Sequence, residues 1–550
     1  MSTPRGKITL SNILKAGVAT VVFFALLESL IRIAYHVRNS YVDVTLLPYA
    51  MQDEYGPVPP WIKQNSMFKG DYSLLWTGTP NFHRRYIDDF SPVRKNSDRY
   101  ALIRKFFPAI PDSLRDRPVW EISLNSEGFR DDEFPDEKAP SEFRIVCLGD
   151  SWTVGSNVNQ NESYPYLLEE SLKKEFPRAN FKTFNLGVFG YTSYQGLRLV
   201  KRAIELKPDI FIVGFAMNES DILRSIDQLG ENTNYDHTKR RRKKTVLSDV
   251  KYYISENFEL YKLLRYWALI LKWKPSTMDK YLRDTITLAQ YSHGLKERQN
   301  SDPWFKDTLR QSRQNFRGIL DTANKNNVDT IFLYPEFLVE GPILKVLEDL
   351  SDEEKVPIVD ASRLIADEQR KIQDNLEEQL GLIPETQKTK DAAYKAEVEV
   401  IFRVYVDDYP VPNAVYITGN HNKLGDLIPN KIKMYDDGTH GDQRAGDGVW
   451  SYSATFPPRS EIFYVYTNSG KEGKWEGLDI PDIRYLKIGN EDNDEVLYAP
   501  IDTFGKMYMK ADPNHTNPDG NKLIAKAVLE KVKESKNFKS YIAQLPTNSY

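Results

Sequence analysis

The stretch Phe143-Arg-Ile-Val-Cys-Leu-Gly-Asp-Ser-Trp-Thr-Val-Gly155 decides how this chain reads. Its apolar run at 145–148 predicts a buried strand, and the run breaks at Gly149-Asp150-Ser151. The strand therefore ends by presenting one serine on a glycine-loosened turn. A serine held there exposes its hydroxyl and leaves its backbone N–H free to face a developing oxyanion. Gly-Asp-Ser also makes ordinary turns, so the reading depends on partners elsewhere in the chain.

The first partner is Asp512-Pro-Asn-His515, followed by a helical pattern over 523–532. An acid and an imidazole three residues apart face one pocket from a single turn. The carboxylate then orients the ring while the other ring nitrogen takes a serine proton. The same spacing also fits a helix N-terminal cap with a solvated histidine. Of the seven histidines, His515 alone has such a context.

Two blocks lie between. Asn185-Leu-Gly-Val-Phe-Gly-Tyr-Thr-Ser193 follows a short strand and offers Gly187 as a backbone donor. Pro208-Asp-Ile-Phe-Ile-Val-Gly-Phe-Ala-Met-Asn218 is a buried strand ending in an amide suited to a second donor. Either block alone is also an ordinary strand end. Four such blocks in this order are hard to explain as turns.

The ordered set resembles the SGNH (GDSL-type) hydrolases. That resemblance implies Ser151 as nucleophile, His515 as base and Asp512 as its orienting acid. It implies an oxyanion hole of the Ser151 N–H, the Gly187 N–H and the Asn218 side chain. Asn125-Ser-Glu-Gly-Phe-Arg130 resembles the lead-in of many bacterial members. The resemblance covers roughly 120–385 and 495–540. One departure stands out: the family's Gly-x-Asn-Asp is here Ala216-Met217-Asn218-Glu219, which bears on substrate shape.

From residue 143 onward, strand patterns at 143–148, 181–185, 209–215, 329–334 and 357–360 alternate with helical ones. That alternation predicts a three-layer α/β/α fold on a parallel sheet, with active residues at the strands' carboxyl ends. After 396 the pattern changes to closely spaced strands at 398–406, 414–418, 448–456 and 462–467, which predicts an inserted all-β sandwich. The expected organisation is a cytoplasmic N-terminus at 1–12, an anchor at 13–34 and an irregular juxtamembrane segment at 35–120. The catalytic domain then occupies 121–396 and 491–550, split by the sandwich at 397–490.

Within the insert, Val415-Tyr-Ile-Thr-Gly-Asn420, Leu424-Gly425 and Lys474-Trp-Glu476 resemble starch-binding-type carbohydrate modules. Trp475 and Tyr485 are candidates for stacking on sugar rings; burial in the core is the other reading. Asp436, Asp437, Asp442 and Asp447 are interleaved with glycines. They suit either a calcium cage of oxygen ligands or two successive Asp-Gly turns. The catalytic chemistry itself requires no cofactor.

Length and a 40% hydrophobic content allow more than one core, and the net charge of −4 gives no sign of a nucleic-acid partner. A single cysteine, Cys147, excludes an intramolecular disulfide. Residues 13–34 supply an apolar segment long enough for a bilayer needing ~20 residues. Arg5, Lys7 and Lys15 precede its uncharged run, which favours an uncleaved anchor with the bulk of the chain outside the cytoplasm. A cleaved signal peptide and an interior amphipathic helix are the alternatives. Three Asn-x-Ser/Thr sequons, two of them within the proposed catalytic blocks, favour a host that does not glycosylate such sites. The basic run 239–244 and the aromatic amphipathic pattern 258–273 suit either membrane contact or, respectively, a solvated loop and core packing.

The sequence thus points to a membrane-anchored extracytoplasmic serine esterase acting on O-acylated polysaccharide or a small ester. An O-acetyltransferase using the same triad and a non-catalytic glycan-binding protein are the competing readings. The oligomeric state is not legible.

Overall fold

The computed structural model describes residues 10–39, 46–48, 67–71, 73–87, 119–135, 137–221, 250, 253–255, 257–272, 303–337, 341–382, 397–407, 414–468, 476, 482–489, 496–512 and 514–545. The basic run 239–244 and Trp475 lie outside them.

Helix α1 (Leu10–Asn39) contains the stretch Leu14–Val37, long and apolar enough to cross a bilayer. Its apolar side chains are exposed rather than packed into a core, which excludes the interior-helix reading. The described residues of the segment 35–120 include regular strands. Strands β1 (Leu46–Pro48), β4 (His83–Ile87) and β5 (Val119–Ser123) form one small sheet, and β2 (Phe68–Asp71) pairs with β3 (Leu75–Gly78) in a hairpin. Leu75 and Trp76 of that hairpin are buried in the catalytic core. No short-range periodicity announces this packing, because the partners lie more than 100 residues away.

The catalytic sheet has five parallel strands in the order β10-β9-β8-β6-β7. They are β6 (Glu142–Gly149), β7 (Asn180–Gly187), β8 (Ile210–Gly214), β9 (Asp329–Tyr334) and β10 (Ile358–Asp360). Each lies within two residues of its expected bounds. Along β6, Ile145 and Cys147 enter one core layer while Val146 and Leu148 enter the other. That two-sided burial explains the unbroken apolar run. One layer is covered by α3 (Tyr164–Glu175) and the other by α4 (Ser193–Glu205), α6 (Pro303–Lys325) and α7 (Pro342–Glu354). Helix α5 (Glu259–Lys272) falls in the chain segment between β8 and β9. Helices α8 (Ala361–Leu380), α9 (Pro518–Glu534) and α10 (Lys536–Ala543) join the α3 layer. The chain leaves β6 for β7 on one side and returns to β8 on the other, so β6 is the switch point of the sheet.

Strand β7 is an edge, and its outward N–H groups are guarded. Thr183 N–H donates to Glu169 Oε2 at 2.6 Å and Asn185 N–H to Asp131 Oδ2 at 2.8 Å. These carboxylates occupy donors that another strand would otherwise pair with.

The insert is a sandwich of two four-stranded sheets. One contains β11 (Val398–Tyr405), β14 (Val449–Phe456), β17 (Val496–Tyr498) and β18 (Asp502–Thr503). The other contains β12 (Tyr416–Gly419), β13 (Ile432–Lys433), β15 (Glu461–Thr467) and β16 (Arg484–Lys487). Phe402, Ile417, Phe456, Tyr464 and Leu497 pack in its core. β17 and β18 both pair with β11, so the sandwich continues past the expected boundary at 490. After it come β19 (Lys510–Asp512) and β20 (His515–Thr516), a two-stranded ladder that returns the chain to the catalytic sheet.

Candidate active site

Ser151 owes its position to a row of glycines and a clamp. Gly187, Gly149 and Gly214 are register partners across β7, β6 and β8, at the carboxyl ends of the strands. The one-turn helix α2 (Ser151–Val154) lies over this row and is labelled here by its place in the chain, before α3. A Cβ on Gly149 would come within 2.0 Å of Thr153 Oγ1, and one on Gly187 within 2.6 Å of the Val154 nitrogen. Any side chain at either position would lift the serine off the sheet. Asp150 caps α2, its Oδ1 accepting from Trp152 N–H at 3.0 Å, and Gly155 ends the turn at φ 80°.

The clamp is Arg130, buried at the end of the Asn125–Arg130 lead-in. Its guanidinium donates to the carbonyls of Val154 (3.1 Å), Gly155, Val158 (2.6 Å) and Glu121 (2.6 Å). Every acceptor is a backbone carbonyl, so this one side chain fixes the loop leaving Ser151.

His515 arrives from the opposite end of the sequence. Asp512 and His515 are register partners in the β19–β20 ladder. His515 Nε2 lies 2.9 Å from Ser151 Oγ. The helix cap that Asp-x-x-His also fitted is made by Asn517 instead. Its Oδ1 accepts from the N–H groups of Asp519 and Gly520 at 3.0 Å each.

Asn218 sits on the turn Met217–Asp221 that follows β8. Its Nδ2 donates to Asp150 Oδ2 at 3.1 Å and to the Tyr191 carbonyl at 3.4 Å. Asp150 thus links the serine's helix to the asparagine. Burial pushes the Asp150 carboxyl up to about 7; the Trp152 N–H and His515 oppose the shift, while Glu336 and Glu219 reinforce it.

Gly187 requires a correction. Its N–H donates to Asn185 Oδ1 at 2.9 Å, so it is not a free donor. The glycine is needed for the close approach of α2, not for its amide. Glu219, the departure from the family's Asp, is buried. It accepts from Ser193 N–H (2.5 Å), Ser193 Oγ (2.8 Å) and Ser312 Oγ (2.5 Å), and burial raises its pKa. It pins the Asn218 turn to the start of α4 and to α6. Arg130, Asp150 and Glu219 escaped the sequence reading, although each lies within or beside a quoted motif.

In the insert, Tyr485 is partly exposed on β16, beside Phe463 with ring centroids 5.0 Å apart. Carboxylate oxygens of Asp436, Asp442 and Asp447 lie within 4.8 Å of one another. Asp437 does not join them: its Oδ1 accepts from Thr439 N–H at 3.0 Å and Thr439 Oγ1 at 2.5 Å. The other three also accept backbone N–H groups. Asp436 takes those of Gly446, Asp447 and Gly448; Asp442 takes that of Gly438, and Asp447 that of Val449. That is the pattern expected of successive Asp-Gly turns.

Residues 147–380 match the model of the GDSL-like Lipase/Acylhydrolase family. The match ends with α8, before the sandwich, and supports an ester-bond hydrolase of the GDSL/SGNH kind. No curated protein matches the chain. Solved structures similar to it include AlinE4, an SGNH-hydrolase family esterase (17% identity, 40% of this chain and 77% of that one, TM-score 0.22). TesA is similar at 13% identity over 44% of this chain and 85% of that one, with TM-score 0.22. The psychrotrophic esterase EstA from Pseudoalteromonas sp., inhibited by monoethylphosphonate, is similar at 13% identity over 39% and 75%, with TM-score 0.21.

Proposed function

We propose, from a catalytic segment that matches the GDSL-like acylhydrolases, that this chain is a serine esterase removing O-acyl groups, chiefly acetyl, from polysaccharide. The observation that carries the reading is the 2.9 Å contact between His515 Nε2 and Ser151 Oγ. Ser151 attacks the ester carbonyl as His515 takes its proton, and Asp512, whose side chain lies outside the described structure, takes the role of orienting acid that the resemblance gives it. The alkoxide leaves with the proton returned by His515, and water resolves the acyl-enzyme.

The oxyanion is held by the Ser151 N–H and by the Asn218 amide, which exchanges its 3.4 Å bond to the Tyr191 carbonyl for the oxyanion. With the Gly187 amide committed to Asn185, we assign the third donor to Gly190. It has φ 73° and lies in the turn whose Tyr191 carbonyl accepts from Asn218. Each donor contributes on the order of 3–4 kcal/mol to lowering the barrier. α1 is the uncleaved anchor, with the catalytic unit outside the cytoplasm. The sandwich, by its resemblance to carbohydrate modules, presents the glycan.

Full-length protein incubated with an O-acetylated polysaccharide should release free acetate, and Ser151→Ala should release none. Acetate gained by the glycan from an acyl donor, in place of release, would make the enzyme a transferase. No Ser151-dependent change in acetyl content would refute both.

A further inference from the structure

We infer that α5 is a second membrane-contacting element, seated at the headgroup–acyl boundary of the bilayer that α1 spans. This rests on α1 being the retained anchor. No residue of α5 is buried, and one strip of it is apolar at helical spacing: Leu264 (60% exposed), Trp267 (54%) and Leu271 (85%). Lys262 and Arg265 fall on the opposite side of the helix at ~100° per residue, with Leu269 (43% exposed) between them, and Lys272 flanks the strip. A tryptophan–leucine face backed by a cationic face is the arrangement of a helix lying in the plane of the interface, apolar side down and cations among the phosphates.

The attachment of α5 identifies lipid as the occupant of that strip. The uncharged run of α1 ends at Glu28, whose carboxylate accepts the N–H groups of Glu259 and Leu260 at 2.8 Å each. These are the first two residues of α5. Arg32, one turn further along α1, bridges Glu28 at 2.7 Å and donates to the Asn257 carbonyl. A carboxylate in an apolar helix is thus matched by an arginine and by the positive end of a second helix. At this level Leu26, Leu30 and Ile33 of α1 are 60–63% exposed. Glu28 and Arg32 carry the start of α5 on one side of α1, while Leu26, Leu30 and Ile33 face out on the other, so α1 and the start of α5 share one level. A bilayer receiving the first therefore receives the second. Because α5 lies between β8 and β9 in sequence, the catalytic unit is held to the membrane at a second point.

The test uses full-length protein bearing one NBD-labelled cysteine, with buried Cys147 left unlabelled. The protein is reconstituted into phosphatidylcholine–phosphatidylglycerol vesicles containing doxyl-labelled lipid. Leu271→Cys and Trp267→Cys should show blue-shifted emission and several-fold quenching, as should Val22→Cys in the anchor; Arg265→Cys should be quenched far less. Quenching at 22 but not at 267 or 271 would overturn the inference and leave the anchor intact. Absence of quenching at 22 as well would overturn the anchor reading and the inference with it. A blue shift at 271 without lipid quenching would place protein, such as a second copy of the chain, on that face and overturn the inference.

Discussion

Asp150 occupies the centre of the site, between the nucleophile it caps and the asparagine whose amide it accepts. Its carboxyl, pushed up to about 7 by burial, keeps a proton in the folded chain that the unfolded chain gives up above ~4. The contribution of this group to stability is therefore largest below ~4 and is lost as pH rises towards 7. Thermal melts of Asp150→Asn should fall less steeply across that window than those of the parent. Equal slopes would mean that Asp150 ionises as an ordinary carboxyl. Asn218→Ala should lower kcat by ~10²–10³ on a small ester and cost ~1–3 kcal/mol of stability, since Asp150 and the Tyr191 carbonyl lose its amide. The pairing of Ser151 with His515, now 2.9 Å apart, could be expected from the sequence because each lies in a short motif whose chemistry is local. That the Gly187 N–H is bonded within its own motif could not be read from the spacing of Asn185-Leu-Gly-Val-Phe-Gly190. The bond is made by Asn185 folding back two residues, with α2 pressing on Gly187 from another element.

At the scale of elements, the serine's turn is a product of its surroundings. Arg130→Leu leaves the carbonyls of Val154, Gly155 and Val158 without the side chain that satisfies them. A loss of about 3 kcal/mol in urea unfolding, with a fall in kcat larger than any change in KM, is the expected outcome. Gly187→Ala should also cost stability and activity together, because the new methyl meets the backbone of α2. Activity retained at the level of the parent would contradict the packing role. The parallel strands could be read within two residues because burial on both faces leaves continuous apolar runs. β17 and β18 could not: each is two or three residues long and exists only by pairing with β11. The β2–β3 hairpin was illegible for a similar reason. Trp76 Nε1 donates to the Phe189 carbonyl, and Tyr191 Oη to the Trp76 carbonyl, both across more than 100 residues. The turn carrying Gly190 is thus braced by a segment that composition alone marked as irregular.

Across the whole molecule, the sandwich is fastened to the catalytic unit by buried charge. Arg403 of β11 reaches Glu377 of α8 at 2.8 Å, and Gln373 Nε2 of α8 donates at 3.1 Å to Asp502, which Arg484 of β16 holds at 2.7 Å within the sandwich. Arg403→Met strands a buried carboxylate and should cost about 3–5 kcal/mol, read by denaturant unfolding. Lys510, on the ladder that carries His515, lies 3.4 Å from Asp482 of the insert and 5.5 Å from the Phe337 ring, which packs on Trp152. The insert therefore touches the segment that carries His515. Its removal should span 397–505, not end at 490 within the sheet, and should spare hydrolysis of small esters while reducing that of polymer. All of this presupposes an activated serine, and fluorophosphonate labelling of the full-length protein addresses that directly. The account predicts covalent labelling of the parent and none of Ser151→Ala or His515→Ala. A folded parent that takes no label, or a His515→Ala variant that labels as fast as the parent, would contradict it.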